Sequence, residues 1–168
     1  NFAAAEDAYR AALSVQERVL GRDNPNTAAP MLALAVNLSN QKRLSEAQVL
    51  LDRAGTLAPG AAYPTMQARV LHYRGLHALN AGDPARAATF LQEAETRYAA
   101  LAPAASHSQE NDTADLLADP VQQSAILGLA EAKRNRAVAL SRIGHAQEAA
   151  QVVAEGRAVL GAPGSSPT

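Results

Sequence analysis

The stretch TAAPMLALAVNLSNQKRLSEAQVLLDRAGTLAP, residues 27–59, carries the pattern that decides the fold. Its apolar residues follow the 3.6-residue period of a helix from Met31 to about Gln41, and they follow it again from Leu44 to Leu57. Lysine, arginine and serine interrupt the two segments, and Pro-Gly ends the second one. The stretch therefore predicts two amphipathic helices joined by a short polar turn.

The same pattern continues on both sides of this hairpin. We expect the first helix of the hairpin to begin near Pro25 and to be irregular before Pro30, because proline is tolerated only in the first turn of a helix. Gly21, Gly82 and Gly144 mark further breaks. The expected units of one helical domain over 1–161 are a single helix over 1–20, hairpins over 25–59, 64–101 and 120–161, a loop insertion over 102–119, and a disordered tail over 162–168.

A small–bulky–small triplet recurs in the second helix of each unit. Its offsets of 0, +4 and +7 lie on one helix face, where small residues let two backbones approach closely. Small residues also stand twelve positions earlier, at Ala35, Gly75 and Ala137, where a tight hairpin needs them. The alternative is an irregular helical bundle with accidental alanine spacing. The triplets are Ala5-Tyr9-Ala12, Ala47-Leu51-Ala54, Ala87-Leu91-Ala94 and Ala149-Val153-Gly156.

Composition limits the function classes. The formal net charge of −1 gives no bulk attraction to nucleic acid or to an anionic membrane. The chain has no cysteine, which excludes disulfides, thiolate metal sites and a cysteine nucleophile and fits either redox compartment. No apolar run approaches the roughly 20 residues of a membrane-spanning helix. We expect a cytoplasmic protein, and the start at Asn1 without methionine predicts a piece of a longer chain.

At the triplets and their partners the chain resembles the tetratricopeptide repeat family, a 34-residue helix–turn–helix unit. The first triplets stand 42 and 40 residues apart. With ALSVQERVLGRDNPNTA at residues 12–28, this spacing resembles the longer kinesin-light-chain-like subtype. The resemblance implies an all-α fold, an α-α superhelix (solenoid) of stacked antiparallel helix hairpins. This sequence departs from the family pattern at Lys42, where a turn glycine is usual, and at Arg74 and Arg136, where apolar residues are usual.

The resemblance also implies a concave groove lined by the first helix of each hairpin. In the second repeat the groove positions are Leu32, Ala33, Val36 and Asn40. The groove residues of the later repeats are biased toward positive charge. This bias predicts a protein or peptide partner with acidic or C-terminal carboxylate groups. The alternative is that the groove arginines are solvated charges paired with nearby Glu or Asp. The predicted groove residues are Arg69, His72, Tyr73, Leu76, Asn80, Arg134, Asn135, Val138 and Arg142.

The first helix lacks a preceding partner helix. Its triplet face, Phe2, Ala5, Tyr9 and Ala12, predicts an interface with upstream repeats or with a second copy in a homodimer. The alternative function is that of a regulatory or sensor segment in a larger signalling enzyme or regulator. The resemblance implies this role for Ala-rich, bacterial-type chains. A pure homo-oligomerisation element is the third.

Evidence for catalysis or metal binding is weak. The sequence has no G-x-S-x-G, H-E-x-x-H, phosphate loop or Rossmann fingerprint. His72 and His77 are five residues apart and diverge on a helix, while His107 and His145 fall in predicted loop or turn. The acidic residues of 110–119 lack the central glycine of a calcium loop. We predict no enzyme activity, no cofactor and no metal.

Overall fold

The computed structural model of the protein describes residues 1–59, 62–102 and 120–160. These residues form helices and no strands, and consecutive helices pack as antiparallel pairs. The predicted all-α solenoid of stacked hairpins is confirmed. The helices are α1 (Phe2–Leu20), α2 (Ala28–Asn40), α3 (Leu44–Leu57), α4 (Pro64–Ala81), α5 (Pro84–Leu101), α6 (Pro120–Arg142) and α7 (Ala146–Val159).

The predicted loop insertion and tail lie outside the described residues, except for Ala102. His107 and the acidic residues of 110–119 lie outside them as well. The three hairpins of the described part are α2/α3, α4/α5 and α6/α7, and α1 precedes them as a single helix.

The irregular start of the first hairpin follows from its two prolines. The Asn24 side chain accepts a hydrogen bond from the backbone N–H of Asn26 at 2.9 Å and opens a short 3-10 turn, Pro25–Thr27. The α-helix then begins at Ala28, so Pro30 falls in its first turn, where its missing N–H costs no helical hydrogen bond. The structure confirms the predicted irregularity before Pro30.

The turn inside each hairpin uses the same left-handed backbone. Lys42, Gly82 and Gly144 have φ angles of 65°, 84° and 85°. Glycine adopts this conformation without strain, whereas in a residue with a side chain it costs conformational energy. Lys42 thus occupies the glycine position of the turn, as the repeat alignment predicts, and its Nζ donates to the carbonyl of Asn80 at 2.8 Å.

Small residues allow the two helices of a hairpin to cross closely. Ala35 and Ala47 are fully buried, and so are Leu51 and Ala54. In the next hairpin a Cβ atom at Gly75 would lie only 2.5 Å from Leu91 Cγ. The triplet residues therefore form the centre of each hairpin, with the bulky residue filling the space that the small ones leave.

Each hairpin supports the first helix of the next. Helix α4 packs against α2 and α3, and α6 packs against α4 and α5. At the second junction Gly128 packs against Tyr98. A Cβ atom at position 128 would lie only 2.5 Å from the Tyr98 ring. Tyr98, Ala94, Leu129 and Ala132 belong to one buried cluster that joins the two hairpins. The stack is therefore held by a series of apolar clusters, each shared by neighbouring helices, as expected for a solenoid.

Ion pairs tie the helices together beside this core. Glu6 of α1 accepts from Arg43 at 2.7 Å. Glu95 of α5 accepts from Arg136 at 3.0 Å and lies 3.4 Å from Lys133 Nζ, and it is itself buried. The buried carboxylates carry partners, which they require in a low-dielectric interior.

The arginines that depart from the family pattern find carboxylates. Arg74 pairs with Asp52 at 3.1 Å, and Arg136 pairs with Glu95 and with Glu148, the latter at 2.8 Å. Charge pairing between helices has replaced apolar contact at both positions. The aliphatic stems of such side chains still cover apolar surface.

Helix α1 keeps one apolar face uncovered. Phe2 is 54% exposed and Tyr9 is 36% exposed, and Ala12 is exposed as well. Ala5 is half-buried. Glu6 and Leu13 lie next to Phe2 and Tyr9 on the helix and contact the first hairpin: Glu6 accepts from Arg43, and Leu13 packs against its core. Of the predicted N-terminal interface residues, Phe2, Tyr9 and Ala12 are thus exposed with respect to the described part of the chain.

Candidate functional site

A cleft of about 440 Å³ lies between α4 and α6. The amino-terminal half of α4 forms one wall, the beginning of α6 forms the other, and Tyr98 of α5 contributes to the lining. Both walls are first helices of their hairpins. The side chains that line it are Arg69, His72, Tyr73, Tyr98, Pro120, Gln123, Ser124, Leu127, Gly128 and Glu131.

His72 is held rigidly in this cleft. It is only 5% exposed, and its Nε2 lies 2.9 Å from the amide nitrogen of Asn135. Its ring stacks on Tyr73 at 5.8 Å and meets Tyr98 edge-on at 6.3 Å. Because an amide nitrogen can only donate, Nε2 accepts and the ring proton belongs on Nδ1.

Burial fixes the charge of His72. Desolvation lowers the pKa of His72 from 6.5 to about 4, and the positive charges of Arg134 and Arg69 act in the same direction. The imidazole is therefore neutral at pH 7. Burial also raises the pKa of Tyr98, which stays protonated.

Arg69 supplies the positive charge of the cleft. It has no ion pair or hydrogen bond with any residue of the described part, unlike Arg74 and Arg136. Glu131 lies in the same cleft without pairing to it. An arginine that is half-buried and unpaired beside aromatic rings offers its guanidinium to a carboxylate or a backbone carbonyl of a ligand.

The predicted groove residues do not all line one cleft in the structure. Arg69, His72 and Tyr73 meet in the cleft, and Asn135 lies behind His72 as its hydrogen-bond partner. Leu76 is half-buried further along α4 and is not among the cleft-lining residues. Arg134, Val138 and Arg142 line cavities on the outer side of the last hairpin instead.

Asn80 and Arg142 have structural partners. The Asn80 amide donates to Ser39 Oγ at 3.2 Å and to Asn40 Oδ1 at 2.8 Å, across the junction of the first two hairpins. Arg142 donates to the carbonyl of Leu79 at 3.3 Å, across the next junction. These two side chains join neighbouring first helices. The alternative that Arg69, Arg134 and Arg142 pair with nearby carboxylates finds no such pair in the described part.

The expectation that Leu32 lines the groove is wrong. Leu32 has no exposed surface and belongs to the core of the first hairpins. His72 stands forty residues later in the same position and is also buried. In these two hairpins the position faces the neighbouring hairpin, whereas the equivalent residue of the last hairpin, Arg134, is exposed. Ala33 and Val36 are half-buried and Asn40 is exposed.

Sequence reasoning missed seven lining residues of the cleft: Pro120, Gln123, Ser124, Leu127, Gly128 and Glu131 of α6 and Tyr98 of α5. Helix α6 begins six residues earlier than the repeat register of α4 places it, and those extra turns build one wall. The signal was present in the sequence, because Asp-Pro-Val-Gln at 119–122 predicts a helix start there.

A second cleft of about 250 Å³ lies among α3, α4 and α5. Its charged groups already have partners: Arg74 pairs with Asp52, and the Arg86 guanidinium lies 5.3 Å from the Phe90 ring centre. His77 Nδ1 lies 3.1 Å from Ser39 Oγ, and burial lowers the pKa of His77. Arg74 Nε is buried without a hydrogen-bond partner in the described part, but both guanidinium charges of this cleft are already paired or stacked, which makes it a poorer ligand site than the cleft beside Arg69.

Within residues 1–59, 62–102 and 120–160, no three His, Asp or Glu side chains come together in a group that could hold a metal ion. In the same part of the chain, no helix combines the length and the apolar character needed to cross a membrane.

Comparison with known protein families agrees with the repeat pattern. The family model described as tetratricopeptide repeat matches residues 1–58, which correspond to α1, α2 and α3. A search of curated proteins gave no match. The matched part is about a third of the chain and contains the best-formed hairpin. Tetratricopeptide repeats are generally scaffolds for protein–protein interaction and typically have no catalytic role.

Proposed function

We propose that this chain is a non-catalytic protein-interaction scaffold that binds a peptide or helix of a partner protein along its first helices. The α4/α6 cleft anchors the partner. The observation that carries this proposal is Arg69, a cation with no ion pair to any residue of the described part, in a 440 Å³ cleft beside the Tyr73 and Tyr98 rings. This cleft combines a positive charge with aromatic surface, which is the usual composition of a binding hot spot.

The chemistry of the cleft favours a segment that presents a carboxylate. Arg69 can hold an acidic side chain or a chain terminus through a charge-assisted hydrogen bond. Glu131 on the facing wall repels the same carboxylate and therefore sets the orientation of the segment. Leu127, which is 55% exposed, offers an apolar contact next to it.

Binding of labelled peptides to the full chain tests this function. A library of extended peptides with acidic, neutral or amidated C-termini is measured by fluorescence anisotropy. We expect acidic and free-carboxylate peptides to bind best, and Arg69→Ala to weaken them about tenfold, which corresponds to the loss of one charged hydrogen bond.

Arg97→Ala is the matched control, because Arg97 is exposed on α5 and has no partner in the described part. It should change peptide affinity less than twofold. Equal affinity of acidic and amidated peptides, or equal loss in the two variants, would contradict the proposal.

Self-association through α1 is a second candidate, favoured by the exposed apolar surface of that helix. Val19 is 70% exposed, and Phe2 is 54% exposed. These side chains supply exposed apolar area at both ends of α1, and exposed apolar area of this kind is what a protein–protein contact covers. Light scattering of the wild type and of a Phe2→Ser/Val19→Ser variant tests it. A concentration-dependent mass that is lost in the variant supports a homodimer, whereas a monomeric wild type contradicts it.

We further propose the kinesin-light-chain-like subtype, on the spacing of the hairpin turns. Lys42 and Gly82 take the same backbone conformation and stand forty residues apart, more than the 34 residues of the common unit. A cytoplasmic location remains a prediction from the sequence.

A further inference from the structure

The two walls of the α4/α6 cleft carry opposite charges at equivalent positions of the repeat. Gly82 and Gly144 mark the same turn in successive hairpins and stand 62 residues apart, and so do Arg69 and Glu131. Arg69 and Glu131 therefore occupy the same position on the first helices α4 and α6, and both line the cleft. In a solenoid, equivalent positions of successive repeats lie side by side along the groove.

Neither of these charges has a partner in the described part of the chain. Arg69 and Glu131 form no ion pair or hydrogen bond with each other or with any other residue of that part. Arg134, which stands three residues beyond Glu131 on α6, does not pair with it either. Two opposite charges that line one cleft and stay apart are complementary to a ligand that carries both signs of charge.

The floor of the cleft carries hydrogen-bond donors between the two charges. Tyr98 and His72 are buried, yet the Tyr98 hydroxyl and the Nδ1–H group of His72 donate to no residue of the described part. Neither atom is fully enclosed, so both remain accessible from the cleft that these side chains line. Burial raises the pKa of Tyr98, and the charges of Arg69 and Glu131 act on it in opposite directions, so both lie within electrostatic reach of the hydroxyl. Buried side chains seldom keep unpaired donors, and the backbone carbonyls of a bound segment satisfy such donors.

The separation of the two walls indicates the spacing of the charges on the ligand. The axes of packed helices lie about 8–10 Å apart. An extended chain in the polyproline II conformation advances about 3.1 Å per residue and returns to the same face every three residues, which is about 9 Å. Residues three positions apart in an extended segment therefore match one step from α4 to α6.

We propose that the segment bound in this cleft carries an acidic residue and, three positions away, a lysine or arginine. Arg69 holds the acidic side chain, and Glu131 holds the basic one. His72 and Tyr98 donate to the backbone between them. This inference rests on the proposed function of the cleft and adds to it a second charge of opposite sign and its spacing.

Charge complementarity favours a partner protein as the source of the segment. All 15 lysines and arginines of the chain lie in helices or short turns of the described part. Residues 60–61, 103–119 and 161–168 contain neither lysine nor arginine, and their one basic side chain is that of His107. At pH 8 an imidazole is neutral. At that pH the chain itself therefore offers no extended segment with a positive side chain.

The experiment titrates short labelled peptides with blocked ends against the full chain at pH 8 and low ionic strength. Each peptide has one central glutamate, and the residues three positions before and after it are both Lys, both Gln or both Glu, so that the direction of binding does not matter. We expect the lysine peptide to bind about threefold more tightly than the glutamine peptide, and the glutamate peptide about threefold more weakly, as one exposed charge pair allows. A peptide of the same composition with its lysines directly beside the glutamate should bind no more tightly than the glutamine peptide.

The variant Glu131→Lys tests whether the second charge is read by the facing wall. It should invert the order, so that the glutamate peptide binds most tightly and the lysine peptide least. Glu93→Lys makes the same charge change at an exposed position of α5 outside the cleft and should leave the order intact. Circular dichroism checks that both variants are folded.

The outcomes separate this inference from the function on which it rests. Equal binding of the three peptides, with affinity still lost in Arg69→Ala, overturns the inference and leaves the proposed function intact. An order that Glu131→Lys does not alter overturns it as well, whereas absence of binding for every peptide overturns both. His107 and Glu110 are also three positions apart. If replacing both by glutamine raises the peptide affinity, the segment belongs to the chain itself and the assignment to a partner is overturned.

Discussion

Gly75 lies so close to Leu91 that a Cβ atom at position 75 would come within 2.5 Å of Leu91 Cγ. We expect Gly75→Ala to destabilise the protein by about 1–2 kcal/mol, because overpacking outweighs the better helix propensity of alanine. Urea denaturation measures the change. Gly55→Ala is the control, since the atom nearest to its Cβ would be the flexible end of Arg74, at 3.1 Å, and Val70 would lie at an ordinary contact distance of 3.6 Å. A Gly75→Ala/Leu91→Ala variant that is no more stable than Leu91→Ala would contradict this explanation.

Replacing the turn residue Lys42 by glycine should make the protein more stable. Its φ of 65° costs a residue with a side chain about 1 kcal/mol, and Lys42→Gly removes that strain. The lost hydrogen bond from Nζ to Asn80 is exposed and worth little. We therefore expect a net gain of about 0.5 kcal/mol in thermal unfolding. Lys42→Ala keeps the strain and loses the bond, so it should not be more stable than the wild type.

The buried carboxylate of Glu95 should stabilise the junction between the last two hairpins. Glu95→Gln keeps the shape but leaves Arg136 and Lys133 without that charge. We expect a loss of about 2 kcal/mol, moderated because both cations also reach a glutamate of α7. Glu93→Gln, exposed on the same helix, is the control and should change stability by less than about 0.5 kcal/mol. Similar losses in the two variants would show that the buried pair is unimportant.

His72 should make stability fall as the pH decreases from 6.5 to 4. Its folded-state pKa is depressed to about 4, so in this range only the unfolded chain takes up the proton. The stability lost through this residue is about 3 kcal/mol at pH 4 and below. His72→Leu places the residue of the equivalent position, Leu32, in the same site and should flatten the pH dependence there. An NMR titration showing a His72 midpoint above pH 6 would rule out this assignment.

At lower pH a separate effect begins, because hydrogen bonds from Arg136 and His145 lower the pKa of Glu148, and stability drops as that carboxylate becomes protonated.

The local chemistry of the sequence was enough to predict the helices. Proline, glycine and aspartate mark the helix ends, and the predicted hairpin over 64–101 corresponds to α4 and α5, which begin at Pro64 and end at Leu101. The small–bulky–small triplets predicted which faces meet, since that packing repeats within each hairpin.

The candidate site was harder to predict, because it depends on how hairpins turn relative to each other. Leu32 and His72 were expected in an open groove and are buried between hairpins. Arg134 was expected in the same groove as Arg69 but lines cavities on the outer side of the last hairpin. A repeat register gives the position of a residue on its own helix, whereas its exposure depends on the neighbouring hairpin and on the early start of α6.

The interaction of Glu95 with Lys133 and Arg136 has a consequence for the local opening of the structure. Lys133 also forms an ion pair with Glu155 of α7 at 2.7 Å, and Arg136 forms one with Glu148 of α7. Through these two cations of α6, the Glu95 carboxylate connects α5 to both helices of the last hairpin. Such shared contacts make segments open together in hydrogen exchange. Backbone amides at the centres of α5, α6 and α7 should therefore exchange with one common opening free energy, as a single cooperative unit that reaches across the turn at Gly144.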